Sequence, residues 1–125
     1  WGFAPEYVEM MWLMLQRNKP GDYVTGTGES HSVKELVKEA FSYVGLKWKK
    51  YVEIDPRYFR PTEVNNLIAD IKKVKKVFKW SPKVNFQDLV KIMIDADMRA
   101  SRLDPIGEGD KILAKKFPNR WWKAD

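Results

Sequence analysis

The sequence contains no cysteine. Disulfides, thiolate metal sites and a cysteine nucleophile are excluded together, and the setting expected is reducing and cytoplasmic. It contains one histidine, His31, which argues against a histidine-built metal site or a Ser-His-Asp triad, so no metal is expected. Long apolar runs are missing too. The longest, Met10 to Leu15, falls far short of the roughly 20 residues a bilayer helix needs, so no membrane partner is expected. The opening Trp1-Gly2-Phe3-Ala4-Pro5 lacks the basic segment of a signal peptide. It also places Trp1 just before a helix-entry motif, which suggests a truncated chain.

Acidic charge is in the minority, with 17 Asp and Glu against 23 Lys and Arg, a net charge of +6. A basic balance points to an anionic partner: nucleic acid, a membrane surface or a phosphorylated substrate. Aromatic residues are plentiful, with six Trp, five Tyr and six Phe in 125 residues. They imply a well-anchored core or a surface meant to be covered. The length fits a single domain.

The pattern alternates helical and extended segments. Pro5 and Glu6 suit the first turn of a helix running to about Arg17, with Glu6 at its positive end. Tyr7, Val8, Met10, Met11, Trp12, Leu13, Met14 and Leu15 make that helix apolar nearly all round, so burial on more than one side is expected. Tyr23-Val24-Thr25 reads as a short strand before Gly26-Thr27-Gly28. Ser32 and Glu35 form a capping box ahead of a clean helical face, Val33, Leu36, Val37, Ala40, Phe41 and Val44. Gly45 stops that helix. Trp48 to Ile54 reads as a second strand, and Tyr58-Phe59-Arg60-Pro61 as extended backbone. A short helix follows Asp70, with Lys72, Lys73, Lys75 and Lys76 opposite its apolar face. Asn85 and Asp88 open another, with Phe86, Leu89, Val90, Met93 and Ile94 on one face, to about Arg102. A last helix runs from Asp110 to Lys116, ahead of the aromatic tail.

Several residue groups could carry chemistry. Gly26-Thr27-Gly28 has the strand-to-helix context of a phosphate loop, but His31 occupies the third glycine position of a dinucleotide fingerprint. A tight turn is the reading expected, with His31 near the helix cap. Tyr43 and Lys47 match a Tyr-x-x-x-Lys spacing, yet Gly45 lies between them at a helix end, so no catalytic pair is expected. The lysines Lys47, Lys49 and Lys50, with those at 72–76, are read as a solvated face. Trp121 and Trp122 could stack on bases or cover a core edge. Arg57, Arg60 and Glu63 form the group of most interest. A guanidinium grips phosphate oxygens two at a time, and Pro61 pre-aims Arg60. A carboxylate such as Glu63 accepts from vicinal hydroxyls, although a surface ion pair would use the same residues.

Read in order, Trp1-Gly-x-Ala-x-x-Tyr7-Val8 through Gln16, Thr27-Gly28-Glu29-x-His31-Ser32-Val33, Asp55-x-x-Tyr58-Phe59-Arg60-Pro61-Thr62-Glu63-Val64 and Trp80-x-Pro82 resemble the GDP-mannose 4,6-dehydratase family. The resemblance reaches about Met98. It implies an α/β fold: the C-terminal part of a Rossmann-like, NAD(P)-binding short-chain dehydrogenase/reductase, mainly helices with a few short strands. It implies a lyase that converts GDP-mannose to GDP-4-keto-6-deoxymannose with NADP, in GDP-fucose biosynthesis, as a dimer or tetramer. Arg60 would bind the substrate pyrophosphate, Glu63 the ribose hydroxyls, and Tyr58 would line the same pocket.

The family's glycine-rich NADP loop and its catalytic residues do not match anything in this chain. The chain alone is therefore expected to bind no NADP and to be inactive. One domain is expected over residues 1–125: elements at 1–45 that pack on a Rossmann domain, a substrate-binding part at 46–103, and a tail at 104–125. The rival reading is a non-catalytic basic module for nucleic acid or a protein partner. The order and specificity of the motifs favour the first reading.

Overall fold

The computed structural model describes residues 1–60, 62 and 66–122. Among them are five α-helices: α1 (Ala4–Leu15), α2 (Val33–Tyr43), α3 (Lys72–Phe78), α4 (Phe86–Ala100) and α5 (Glu108–Lys116). Two single 3₁₀ turns, Trp48–Lys50 and Pro56–Tyr58, lie between α2 and α3.

There is no strand among the described residues, which corrects the α/β expectation for this chain. A strand is stable only against a partner that satisfies its backbone ladder. Tyr23-Val24-Thr25 has none, and Tyr23 packs its ring on Phe78 at 4.9 Å, beneath the Lys73 ammonium. Trp48 to Ile54 also has none. It closes a 3₁₀ turn instead, and Tyr51 stacks on Phe41 of α2 at 5.7 Å. Tyr58, expected in extended backbone, ends the second 3₁₀ turn, and only from Phe59 is the chain extended.

The helix boundaries follow local chemistry. Ser32 Oγ accepts from the Glu35 N–H, and the Glu35 carboxylate accepts from the Ser32 N–H, which completes the capping box. At the other end of α2, the Gly45 N–H donates to the Ser42 carbonyl and Leu46 N–H to Phe41. This paired closure needs a left-handed residue, and Gly45, at φ 72°, supplies it. Asn85 Oδ1 caps α4 through the Asp88 N–H. α4 ends in the same closure as α2, with Leu103 N–H donating to Met98 and Arg102 held at φ 60°.

The core has two parts. Val84, Leu89, Ile92, Leu113 and Phe117 join α4 to α5, with Phe3 and Trp122 packed against them. Met10, Val74 and Trp80 join α1 to α3, flanked by Leu13, Met14 and Phe78. Two acids reside inside. Glu6 lies in the first turn of α1, as expected, and is also buried, where its carboxylate accepts from the Lys83 and Val84 N–H groups. Burial pushes its pKa up against the pull of those two bonds.

Asp95 is wholly buried. Its Oδ1 accepts from the Tyr43 hydroxyl at 3.0 Å and the Gly107 N–H at 3.2 Å, and its Oδ2 from the Gly109 N–H at 2.7 Å. One carboxylate thus ties the end of α2 to α4 and satisfies the first turn of α5, whose exposed N–H groups favour an anion. That capping explains why α5 begins at Glu108 rather than Asp110. It also turns α4. Ile92 and Asp95 face inward, while Met93, expected on the buried face, is 44% exposed.

The packing of α1 is one-sided. Met10 is fully buried, but Val8, Met11, Trp12 and Leu15 face outward at 47–82% exposure. Burial on more than one side, as its composition suggests, does not occur among the described residues.

Candidate functional site

The segment that bears Tyr58 and Arg60 is set by Asp55. Its carboxylate accepts from the Arg57 N–H at 3.0 Å, which caps the 3₁₀ turn. It also takes the Arg57 guanidinium, with Nε 3.0 Å and Nη2 2.6 Å from Oδ2. The pair holds the Asp55 carboxyl below its ordinary range and raises Arg57. Arg57 is therefore turned back on its own loop. This divides the expected trio: Arg57 fastens the turn, while Tyr58, Phe59 and Arg60 are presented outward. Tyr58 and Phe59 are 79% and 70% exposed, unusual for aromatic rings with nothing to cover. Pro61 and Glu63 lie outside the described residues, as do the pre-aiming role expected of one and the ribose contact expected of the other.

Other groups are occupied differently. The Gly26-Thr27-Gly28 turn approaches its own chain closely. A Cβ on Gly26 would lie 2.6 Å from the Ala69 Cβ, and one on Gly28 3.7 Å from Ile71 Cδ1. The space a phosphate loop keeps for its ligand is filled by the segment entering α3, so these residues do not fit a dinucleotide. His31 stacks on Phe86 at 4.0 Å, and its carbonyl accepts from Trp1 Nε1. The Tyr43 hydroxyl is committed to Asp95 and the Glu108 N–H. Burial and the Asp95 bond push its pKa up to about 12. A Tyr that serves as an acid or base near neutral pH needs the opposite shift. Lys47 lies beyond the end of α2, so no continuing helix joins it to Tyr43. Lys72, Lys73, Lys75 and Lys76 are exposed on α3, with the Lys73 Nζ donating to the Asp22 carbonyl. Trp122 packs on Phe3 and Phe117, while Trp121 is 78% exposed. Among the described residues no cluster of three His, Asp or Glu could hold a metal, and no helix is long and apolar enough to cross a membrane.

The sequence reading did not anticipate Asp95 or the inward Glu6. For Asp95 there was a faint signal: it follows Ile92 by one helical turn, an acid in line with the buried stripe of α4.

The family model for GDP-mannose 4,6 dehydratase matches residues 1–93. The chain belongs to the GDP-mannose 4,6-dehydratase family. It is 57% identical over 106 residues to GDP-mannose 4,6 dehydratase 1 of Arabidopsis thaliana, across 85% of this chain and 29% of that relative. It is 44% identical over 123 residues to GDP-mannose 4,6 dehydratase of Drosophila melanogaster, across 85% of this chain and 31% of the relative. To the Homo sapiens enzyme it is 41% identical over 122 residues, across 84% and 33%. The chain thus spans about a third or less of the length of these relatives.

Proposed function

We propose that this chain supplies the nucleotide-sugar contacts of a GDP-mannose 4,6-dehydratase. The observation that carries the reading is the Asp55–Arg57 pair, which fixes a loop that holds Tyr58 and Arg60 outward within the span shared with the family. Arg60 grips the pyrophosphate, Glu63 accepts from the ribose hydroxyls, and Tyr58 lines the same pocket. The complete enzyme, a lyase, eliminates water from GDP-mannose to give GDP-4-keto-6-deoxymannose. Its NADP dependence belongs to the same reading. The cofactor is assigned to a Rossmann domain outside this chain, against which residues 1–45 pack. Residues 46–103 form the substrate-binding part and 104–125 a tail. A cytoplasmic homo-oligomer completes the proposal.

The test is kinetic and uses the full-length enzyme. Arg60→Lys keeps the charge but replaces a planar fork with a point charge. A charge-assisted contact of this kind is worth about 1.5–3 kcal/mol. Losing half of it raises KM several-fold. Glu63→Gln costs less, since its amide oxygen still accepts from one hydroxyl. Both variants should bind NADP as the parent does. Unchanged KM and kcat in Arg60→Lys would refute the assignment.

A further inference from the structure

Ser81 is the only serine or threonine in the chain that is followed by a proline. It lies in the non-helical segment between α3 and α4. Two buried side chains hold that segment: Trp80 is 7% exposed on one side of Ser81, and Val84 2% on the other. The Lys83 and Val84 N–H groups are tied to the Glu6 carboxylate as well. Between these anchors Ser81 faces outward. The proline that follows keeps its backbone out of the α region and extended.

The Ser81 hydroxyl is also uncommitted. Ser32 Oγ is engaged in its capping box, and Thr27 Oγ1 accepts from the Glu29 N–H. Ser81 Oγ has no partner among the described residues. An exposed, extended serine with a free hydroxyl and a proline at the next position is the form in which proline-directed protein kinases take their substrates. The surroundings suit the product. Lys75 of α3 lines one cleft with Ser81, and Lys79 is exposed two residues before it. Neither ammonium has a carboxylate partner among the described residues. Glu29, the acid in the cleft, lies 3.3 Å from His31 Nε2. Neither Tyr58 nor Arg60 lines the cleft, so the inference stands apart from the proposed function.

We propose that Ser81 is a phosphorylation site for a proline-directed serine/threonine kinase, and that Lys75 receives the phosphate. Ser81 Oγ bonds to the γ-phosphorus of ATP as the bond to the ADP oxygen breaks. A carboxylate of the kinase takes the hydroxyl proton, and ADP leaves. The phosphate brings close to two negative charges and three acceptor oxygens to the cleft, which ties the approach to α4 back onto α3.

The test incubates the chain with ATP, magnesium and a cyclin-dependent, proline-directed kinase, and reads intact mass and the labelled position. The chain should take up a single phosphoryl group, at Ser81. Ser81→Ala should lose the label completely and Pro82→Ala most of it. The full-length protein should be labelled at the same residue. A peptide of residues 76–86, run in parallel, separates motif from fold. A labelled peptide beside an unlabelled chain would show that the fold withholds Ser81, and failure of both would show that the motif is not read. Either result overturns the proposal, as would label that persists in Ser81→Ala or protection of Ser81 in the full-length protein. The phosphorylated chain should melt about 2–4 °C above the parent. Lys75→Met should lose that gain and keep the label. Equal melting of phosphorylated and parent chains would overturn the role given to Lys75.

Discussion

Asp95→Ala should remove about 4 kcal/mol of stability from the chain in urea denaturation. The carboxylate is wholly buried and serves three donors: the Tyr43 hydroxyl and the Gly107 and Gly109 N–H groups. Hydrogen bonds to a charged group contribute about 1.5–3 kcal/mol each, and a buried donor left unpaired costs about 1–3. Some relief comes from water entering the cavity, so the sum is less than three full bonds. A small domain has only about 5–15 kcal/mol in all. Asp95→Asn should cost about half as much, because its amide oxygen still accepts while its NH₂ meets another donor. The same variant should bring the Tyr43 pKa down from about 12. It should not reach the ordinary value of 10.0, since burial, the larger cause, persists. The sign follows. A raised phenol pKa means the folded state keeps the proton more tightly. That stability is full below pH 10.0 and is lost as pH rises through about 12. A loss below about 1 kcal/mol in Asp95→Ala would show that the carboxylate only fills space.

Gly109→Ala should be the costliest single-methyl addition in the chain, about 3 kcal/mol, read as a fall in melting temperature of roughly 10 °C. The new Cβ would lie 2.6 Å from the Lys91 carbonyl oxygen and 2.7 Å from the Ile92 Cα. These are backbone atoms of α4 and cannot rotate away. α5 would have to retreat, which loosens Leu113 and Phe117 from Leu89 and Ile92 and lengthens the Gly109–Asp95 bond. Gly45→Ala makes a useful contrast. Its Cβ would meet nothing within 4 Å, and the penalty of about 1 kcal/mol comes from φ of 72° alone. If both variants melted alike, close approach of α4 and α5 would not be the cause.

These two residues mark where the sequence stopped being legible. The capping box at Ser32 and Glu35, the Asn85 cap and the Gly45 stop are local signals, each encoded within a few residues, and the structure contains all three. The apparent strands at Tyr23–Thr25 and Trp48–Ile54 show the limit of propensity. Aromatic and β-branched residues fit a pleated sheet, but they form one only beside a partner, which neither segment has among the described residues. The burial of Asp95 and Glu6 was not legible, because their donors lie in other elements: Gly107 and Tyr43 for one, Lys83 and Val84 for the other. The motif around Arg60 was legible as a motif. What its spacing did not reveal was that Asp55 draws Arg57 back onto its own turn.

The division of the core into two clusters bears on the order of assembly. The Asp95–Gly109 contact closes a loop of 14 residues, whereas the Glu6–Lys83 contact closes one of 77. Loop-closure entropy alone makes the second about 1.5 kcal/mol dearer. The α4–α5 hairpin is thus a unit that forms from its own neighbourhood. α1 joins later, and must shed the hydration of the Glu6 carboxyl as it docks. The same asymmetry acts in reverse. α1 should detach before α4 and α5 separate, and amide exchange should reach its backbone well before that of α4. Each detachment uncovers Met10 and Trp80 while α4 and α5 stay folded together.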